Sequence, residues 1–497
     1  MLKIANEYPD YSGYISHIRE HGISDDVINR IINKHVHNSQ FTKELYDRYK
    51  TREDAVPIFS RQPRFKHEDS EIQELNNKIN NDFFSEIADI AVGYFAGNAA
   101  VYKYADADKD GEESEKETKA AQKALADFVT RNNMYDVNME TTKFATICGY
   151  AGRLFYIDTD GVERVMAVAP YETIILYENE MTEPFAAVRY YKTVDIYDTE
   201  SYKAEYYDDT NIYYYEGQLG SLTLKDTKPH MFDYCPLQGI PRNKEFLGDA
   251  VKVLMEIDDY DKTVSDNSND IEDNTNAHMV FQNVTIKDEE MAKARKSGAF
   301  SFSSMGQDSK VYYLTKNVND AFNEHHLNRL EDNIYRFSKT PNLHSEKFGN
   351  PSGISLKFKI TGLESKCGMF EAKCISADTY MFKLLASSFR KQRIPFEPLN
   401  AYTVYKRNFP MDVQNEAQTV QSLTSAGVPK QIAFEQLSFV DDIDYLMQLI
   451  EQEKEAIPSL FVDLPEDDET DDNNPDATEV KGKGKEDDKD NKPQNVE

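Results

Sequence analysis

The stretch Phe246–Asn276, FLGDAVKVLMEIDDYDKTVSDNSNDIEDNTN, decides how this chain is read. Leu247, Val251, Leu254, Ile257, Val264 and Ile271 keep helical spacing through it, so it reads as one helix. Between Asp249 and Asp273 that helix carries nine acidic residues against Lys252 and Lys262, a net −7. On a lone helix such a pattern is most simply a solvated face. A helix this polar cannot be buried all round, so it is expected to lie between water and other subunits. Strands at Met279–Ile286 and Val311–Leu314 follow, with a small helix near Glu289–Lys296 and the loop Ser297–Lys310 between them. A second helix runs from about Asn319 to Phe337, and Pro341 breaks the chain. Residues 246–340 therefore read as helix, small α/β tip, helix: a projection better suited to assembly than to an active-site cleft.

Beyond this projection, Gly349-Asn350-Pro351-Ser352-Gly353 is a loop signal. A long helix is predicted from near Ile354 to Arg390, a strand within 398–406, and short helices over Glu416–Glu455 separated by Gly427-Val428-Pro429 and Ser438. From Val462 onward, 14 acidic and 5 basic residues with few apolar ones predict a disordered tail. On the N-terminal side, Val27, Ile28, Ile31, Ile32 and Val36 follow the start signal Ser24-Asp25-Asp26. A second stripe, Ile72, Leu75, Ile79, Phe83, Ile87, Ile90 and Tyr94, reads as one helix ending at Gly93 and Gly97. Val101–Tyr104 reads as a strand and Glu117–Thr130 as a helix. From Arg153 the period becomes two. Leu154–Ile157 and Val165–Val168 flank the turn Asp160-Gly161, and strands fit Thr173–Tyr177, Ala187–Tyr191, Tyr202–Tyr206 and Ile212–Tyr215. This predicts a tyrosine-rich antiparallel meander with one wet face. The fold class is α+β.

The whole chain has 497 residues and a formal charge of −31, which excludes a protein that binds nucleic acid over its whole surface but leaves room for a local basic ring. The start, MLKIANEYPDY, lacks a signal-peptide pattern, and Ile87–Tyr102 falls short of the ~20 apolar residues a spanning helix needs, so a soluble protein made in a cytoplasm is expected. Four cysteines without a C-x-x-C pair suggest no disulfide scaffold. No phosphate-binding glycine loop, dinucleotide fingerprint, zinc-protease motif or nucleophile elbow occurs.

Asp106-Ala-Asp108-Lys-Asp110-Gly111 with Glu117 fits a calcium-loop pattern. The entering segment reads as a strand, Glu113 stands where an apolar residue is wanted, and no second loop exists to pair with it, so an exposed acidic loop is the better reading. Cys148 has no orienting histidine and reads as a packed thiol. His325 and His326 are adjacent and do not share a helix face, so they read as surface residues rather than metal ligands. Lys481-Gly-Lys-Gly-Lys485 sits in an acidic tail that cancels it. The segment from Lys347 to Lys359, basic at Lys347, Lys357 and Lys359 beside a glycine-hinged turn, could meet phosphates, weakly as one copy and strongly as a ring of copies.

Five blocks, in order, carry a resemblance: Tyr94-Phe95-Ala96-Gly97-Asn98; Ile147–Gly152 leading into Tyr156-Ile157-Asp158; Ala186–Tyr191; Ser265–Asp273; and Gly349–Lys357, with Ser355 where alanine is usual. In these the chain resembles the SPP1-like portal family of tailed bacteriophages. The resemblance implies an elongated multi-part subunit in a ring of about twelve at one capsid vertex. Its parts would be a wing (1–245), stem helices (246–275 and 318–343) around a clip (276–317), a tunnel loop and long tunnel helix (344–390), a wing return (391–410), a crown (411–460) and the acidic tail (461–497).

It implies a non-catalytic conduit for double-stranded DNA with no cofactor and no membrane, assembled in the host cytoplasm and carried in the virion. Implied partners are the terminase large subunit, scaffolding and major capsid proteins, and a head-completion adaptor. Lys347, Asn350, Ser352 and Lys357 would meet DNA, while Glu256, Asp259, Asp266, Asp270 and Asp273 would line the tunnel. Two alternatives stand beside it: a ring protein of the virion without a tunnel, and a metal-dependent phosphodiesterase using Asp106, Asp108 and Asp110.

Overall fold

The computed structural model describes residues 9–63, 75–105, 112–178, 183–275, 278–282, 289, 310–314, 320–343, 358–408, 413–434, 436–437, 440 and 443–456. The chain divides into two units, residues 1–410 and 411–497.

The first unit opens with α1 (Ser12–His21) and α2 (Asp25–Tyr49). Ser24 caps α2 by accepting the Val27 N–H, with Asp25 and Asp26 in the first turn, where negative charge suits the helix dipole. Ile15, Ile18, Ile28, Ile31 and Ile32 pack on one face of a five-stranded antiparallel sheet in consecutive order: β4 (Thr173–Tyr177), β5 (Pro184–Val194), β6 (Glu200–Tyr207), β7 (Asn211–Gly217) and β8 (Thr223–Pro229). The meander forms as read, but its wet face does not extend across it. Ile175, Ala187 and Tyr207 on the opposite face pack against Tyr150, Leu154, Val168 and Leu237. The run Ile174-Ile175-Leu176 is apolar on both sides and is buried on both, whereas β8 is exposed along its whole length.

That second layer is a three-stranded sheet, β3 (Glu163–Val168), β2 (Tyr150–Ile157) and β9 (Leu237–Pro241), with β2 central. The β2–β3 hairpin pairs Leu154 with Met166. Asp158 Oδ1 accepts the Asp160 and Val162 N–H groups, and Gly161 takes φ +77, which a side chain would resist. Strand β1 (Val101–Tyr104) pairs with β12 (Ala401–Val404), joining segments 300 residues apart in sequence.

Four segments depart from the sequence reading. The stripe from Ile72 to Tyr94 is not one helix: α3 spans Phe83–Ala96, and residues 75–82 are neither helix nor strand. Asn76, Asn77, Asn80 and Asn81 favour local side-chain bonds over a helix interior. After α4 (Glu112–Arg131) an unexpected helix, α5 (Met134–Cys148), buries Asn138, Thr141, Thr142 and Thr146 beside Val137 and Ala145. Strands β8 and β9 were also unexpected.

The projection begins with a 3₁₀ turn (Val251–Val253), then α6 (Leu254–Thr275). Strands β10 (His278–Gln282) and β11 (Lys310–Leu314) pair antiparallel, and α7 (Asp320–Ser338) returns. The long helix α8 (Thr361–Lys391) buries Leu363, Cys367, Phe370, Cys374, Ala377, Met381 and Leu384 at alternating spacings of four and three. The second unit holds α9 (Val413–Ser425), α10 (Lys430–Phe434) and α11 (Ile443–Ala456), with Gly427 at φ +86 ending α9.

Candidate functional site

Helix α6 presents one polar stripe at helical spacing: Asp258, Asp261, Ser265, Asn269 and Glu272. Every member bonds to the chain's own N-terminal part. Asp258 pairs with Arg48, and Asp261 Oδ1 accepts the Asn81 N–H at 2.9 Å and its Nδ2 at 2.8 Å. Ser265 Oγ accepts the Ile79 N–H at 2.9 Å, Asn269 Oδ1 the Asn77 N–H at 2.8 Å, and Glu272 the Asn77 Nδ2 at 3.1 Å. The match is geometric. Two residues of extended chain advance about 6.6 Å, and one helical turn of four residues about 6.0 Å, so alternate N–H groups meet one acceptor per turn. Residues 75–82 thus form a strap along α6. This amends the expectation that α6 divides its polar surface between water and other subunits.

The strap also changes the charge. Asp249 meets Arg242 and Lys366, Asp258 meets Arg48, and Asp266 meets Arg61. Among the described residues, three of the nine acidic residues between Asp249 and Asp273 therefore meet arginine or lysine from outside the helix, so the sequence net of −7 overstates the charge this stretch carries. Of the residues singled out from sequence, Glu256 is half-buried and has no ion pair among the described residues. Asp259 lies 3.1 Å from His326 Nε2. Asp266 is only 26% exposed, with Arg61 against it. Asp270 is half-buried, and Asp273 lies in the last turn of α6. Lys347, Asn350, Ser352 and Lys357 lie outside the described residues, as does the acidic loop at Asp106–Gly111.

Helices α6 and α7 run antiparallel, linked by Asn323 Nδ2 to Asn267 Oδ1 at 2.8 Å. Their base is apolar: Ile257, Leu254, Ile334 and Tyr335 pack with Phe83, Phe84 and Ile87 of α3, and Phe83 sits edge-on to both Tyr260 and Tyr335. At the root lies a buried charge cluster. Asp249 accepts from Arg242 Nε at 3.0 Å and Nη2 at 2.8 Å, and from Lys366 Nζ at 2.8 Å. Burial alone would raise the Asp249 carboxyl, yet Arg242 and Lys366 hold it below its ordinary value; burial pulls Lys366 down. Lys366 Nζ also donates to the Ser338 carbonyl at 2.7 Å. One cluster therefore ties the entry to α6, the end of α7 and the start of α8, so the flanks of the basic loop between α7 and α8 rest on one fixed point.

Further along, α8 is held by Arg407 to Glu364 and Glu371, by Arg153 to Asp378 at 2.7 Å, and by Ser388 Oγ to Glu163 at 2.6 Å. Arg153 and Asp378 are almost wholly buried. No sequence pattern announced these pairs; the members of Arg153–Asp378 and of Ser388–Glu163 lie 225 residues apart. Cys148 is buried, and burial pushes its thiol far above the ordinary range. Among the described residues no three His, Cys, Asp or Glu side chains are placed to hold a metal ion, and no helix is long and apolar enough to cross a membrane.

A family model described as "Phage portal protein, SPP1 Gp6-like" matches residues 28–459. The portal protein of Bacillus phage SPP1 is 25% identical over 395 residues, 73% of this chain and 77% of the relative. The portal protein of Clostridium phage phiCD119 is 23% identical over 422 residues, 80% and 89% respectively.

Proposed function

The chain belongs to the SPP1 Gp6-like family of phage portal proteins, and from that premise we propose that its copies close into a ring of about twelve around a passage for duplex DNA. The family is structural, so the subunit carries no turnover of its own; the terminase large subunit supplies the energy of packaging. Residues 1–245 and 391–410 form the wing, 246–275 and 318–343 the stem, 276–317 the clip, 344–390 the tunnel loop and helix, and 411–460 the crown. The clip docks terminase and later the head-completion adaptor, the ring nucleates assembly with scaffolding and major capsid proteins, and the product sits at one vertex of the virion.

The observation that carries this reading is the shared root of α6, α7 and α8 at Arg242, Asp249, Lys366 and Ser338. It holds the end of α7 beside the start of α8, the anchorage that a tunnel loop between the two helices requires. Lys347, Asn350, Ser352 and Lys357 on that loop meet phosphates. The stem acids Glu256, Asp259, Asp266, Asp270 and Asp273 form the wall, with Asp266 its weakest member because of Arg61. Twelve copies of α6, acidic even with Arg48 and Arg61 set against it, put tens of negative charges along its ~33 Å, where the DNA itself carries about 19 charges. The wall repels, screening over about 8–10 Å softens the repulsion, and the duplex slides without sticking. Lys347→Ala in the phage is expected to slow packaging and shorten the retained genome; unchanged rate and length would remove the loop assignment.

A further inference from the structure

A closed ring of more than two subunits needs a heterologous contact, in which two different patches of one chain fit each other. We propose that the β5–β6 hairpin tip of one subunit seats in the cleft between β9 and α8 of the next copy of this chain, an inference that rests on the ring reading above.

The tip is an ordered knob. Asp195 Oδ1 accepts the N–H groups of Tyr197 and Thr199, both at 2.8 Å, and the Asp198 N–H donates to the Asp195 carbonyl at 3.1 Å. This turn holds Ile196 and Tyr197 out at 89% and 81% exposure, with Val194 beside them at 56%. Two large apolar side chains on a fixed turn contribute nothing to their own subunit's core and bring a rigid apolar anchor to a partner. Asp198 makes no ion pair among the described residues, so the knob is apolar with carboxylates at its base.

The cleft is the complementary shape. It encloses 250 Å³, room for about eight waters and so for one aromatic ring. Pro184, Pro241, Ala377 and Tyr380 give it apolar walls, and the lining carries two charged groups, Glu183, which pairs with Lys383, and Lys373, which has no ion pair among the described residues. Gln238 in the wall is 3% exposed, and neither its amide nitrogen nor its oxygen has a partner, so the wall holds hydrogen-bonding capacity the subunit does not use. Apolar knob meets apolar hole, and the carboxylate beside the knob meets the ammonium beside the hole.

The test measures the subunit concentration at half-assembly of the full-length chain, by native mass spectrometry with negative-stain images, expressed alone and with scaffold. Asp198 and the tip residues are exposed, and thermal melts by circular dichroism check that each variant stays folded. D198K and K373E are each expected to raise that concentration about tenfold or more. The double variant D198K/K373E is expected to return to near the parent value, and I196A/Y197A to weaken assembly without touching a charge. If the parent forms rings and the single variants assemble at the parent concentration, or if the double variant restores nothing, the tip–cleft contact is wrong and the ring reading stands. If the parent forms no rings under either condition, the ring reading fails and takes this contact with it.

Discussion

Replacing Asp249 by asparagine is expected to loosen the joint that carries α6, α7 and α8. The substitution keeps the side chain's shape and removes its charge. Three donors now converge on that carboxylate at 2.8–3.0 Å. The Arg242 and Asp249 side chains are 2% and 4% exposed, so water cannot stand in for the lost charge. At an effective dielectric of about 20, one pair at this distance attracts by about 6 kcal/mol before desolvation. Net of desolvation, breaking a buried pair costs about 3–5 kcal/mol, and with two cations stranded the upper half of that range applies. Against a typical total of about 5–15 kcal/mol this is a large fraction. Urea unfolding of the unassembled subunit, followed by circular dichroism, reads the loss. The triple variant R242M/D249L/K366M removes all three charges and is expected to recover most of it, since apolar replacement of a buried ion cluster is often neutral or better. The sign with pH is fixed: a carboxyl held below its unfolded value of 3.8 gives stability that is complete above that value and lost as pH falls through the lowered one. A D249N loss under about 1 kcal/mol, or a triple variant no better than the single one, refutes the reasoning.

The strap gives a second expectation. Ser265→Ala leaves the Ile79 N–H without its acceptor, at about 1–3 kcal/mol, and hydrogen exchange at Asn77, Ile79 and Asn81 should quicken; unchanged protection there would mean that the stripe does not hold the strap. His35, bonded to the Tyr190 hydroxyl at 2.9 Å, is held by burial at about 3 against 6.5 when unfolded. The unfolded chain therefore takes the proton first, and stability falls with pH below 6.5, by about 2 kcal/mol from pH 7.5 to 5. His35→Asn should remove that slope, and parallel pH curves for the two proteins would count against it.

Where local rules decide, the sequence was readable. Asp160-Gly161 demanded a tight turn, and the β2–β3 hairpin closes on it. Ser24-Asp25-Asp26 marked the start of α2. The period of 3.6 in α7 needed no tertiary help. What stayed hidden depends on partners far along the chain. The strap keeps helix-like apolar spacing at Leu75 and Ile79, but its asparagines and the acceptors on α6 take its backbone out of the helix. Helix α5 went unseen because much of its buried face is threonine and asparagine, which serve Arg153 and the backbone there. Strand β8 has no inward side, hence no alternation to detect. The acidic count of α6 was legible, whereas the cations that cancel part of it, Arg48, Arg61, Arg242 and Lys366, sit on segments that only folding brings near.

The central claim is that this subunit closes a ring around a passage for DNA. Native mass spectrometry of the purified full-length protein, alone and coexpressed with scaffold, paired with electron micrographs of the same samples, tests it most directly. Closed rings of about 12–13 subunits with an open centre are the predicted result. Monomers under both conditions, or closed particles without a central hole, would contradict it.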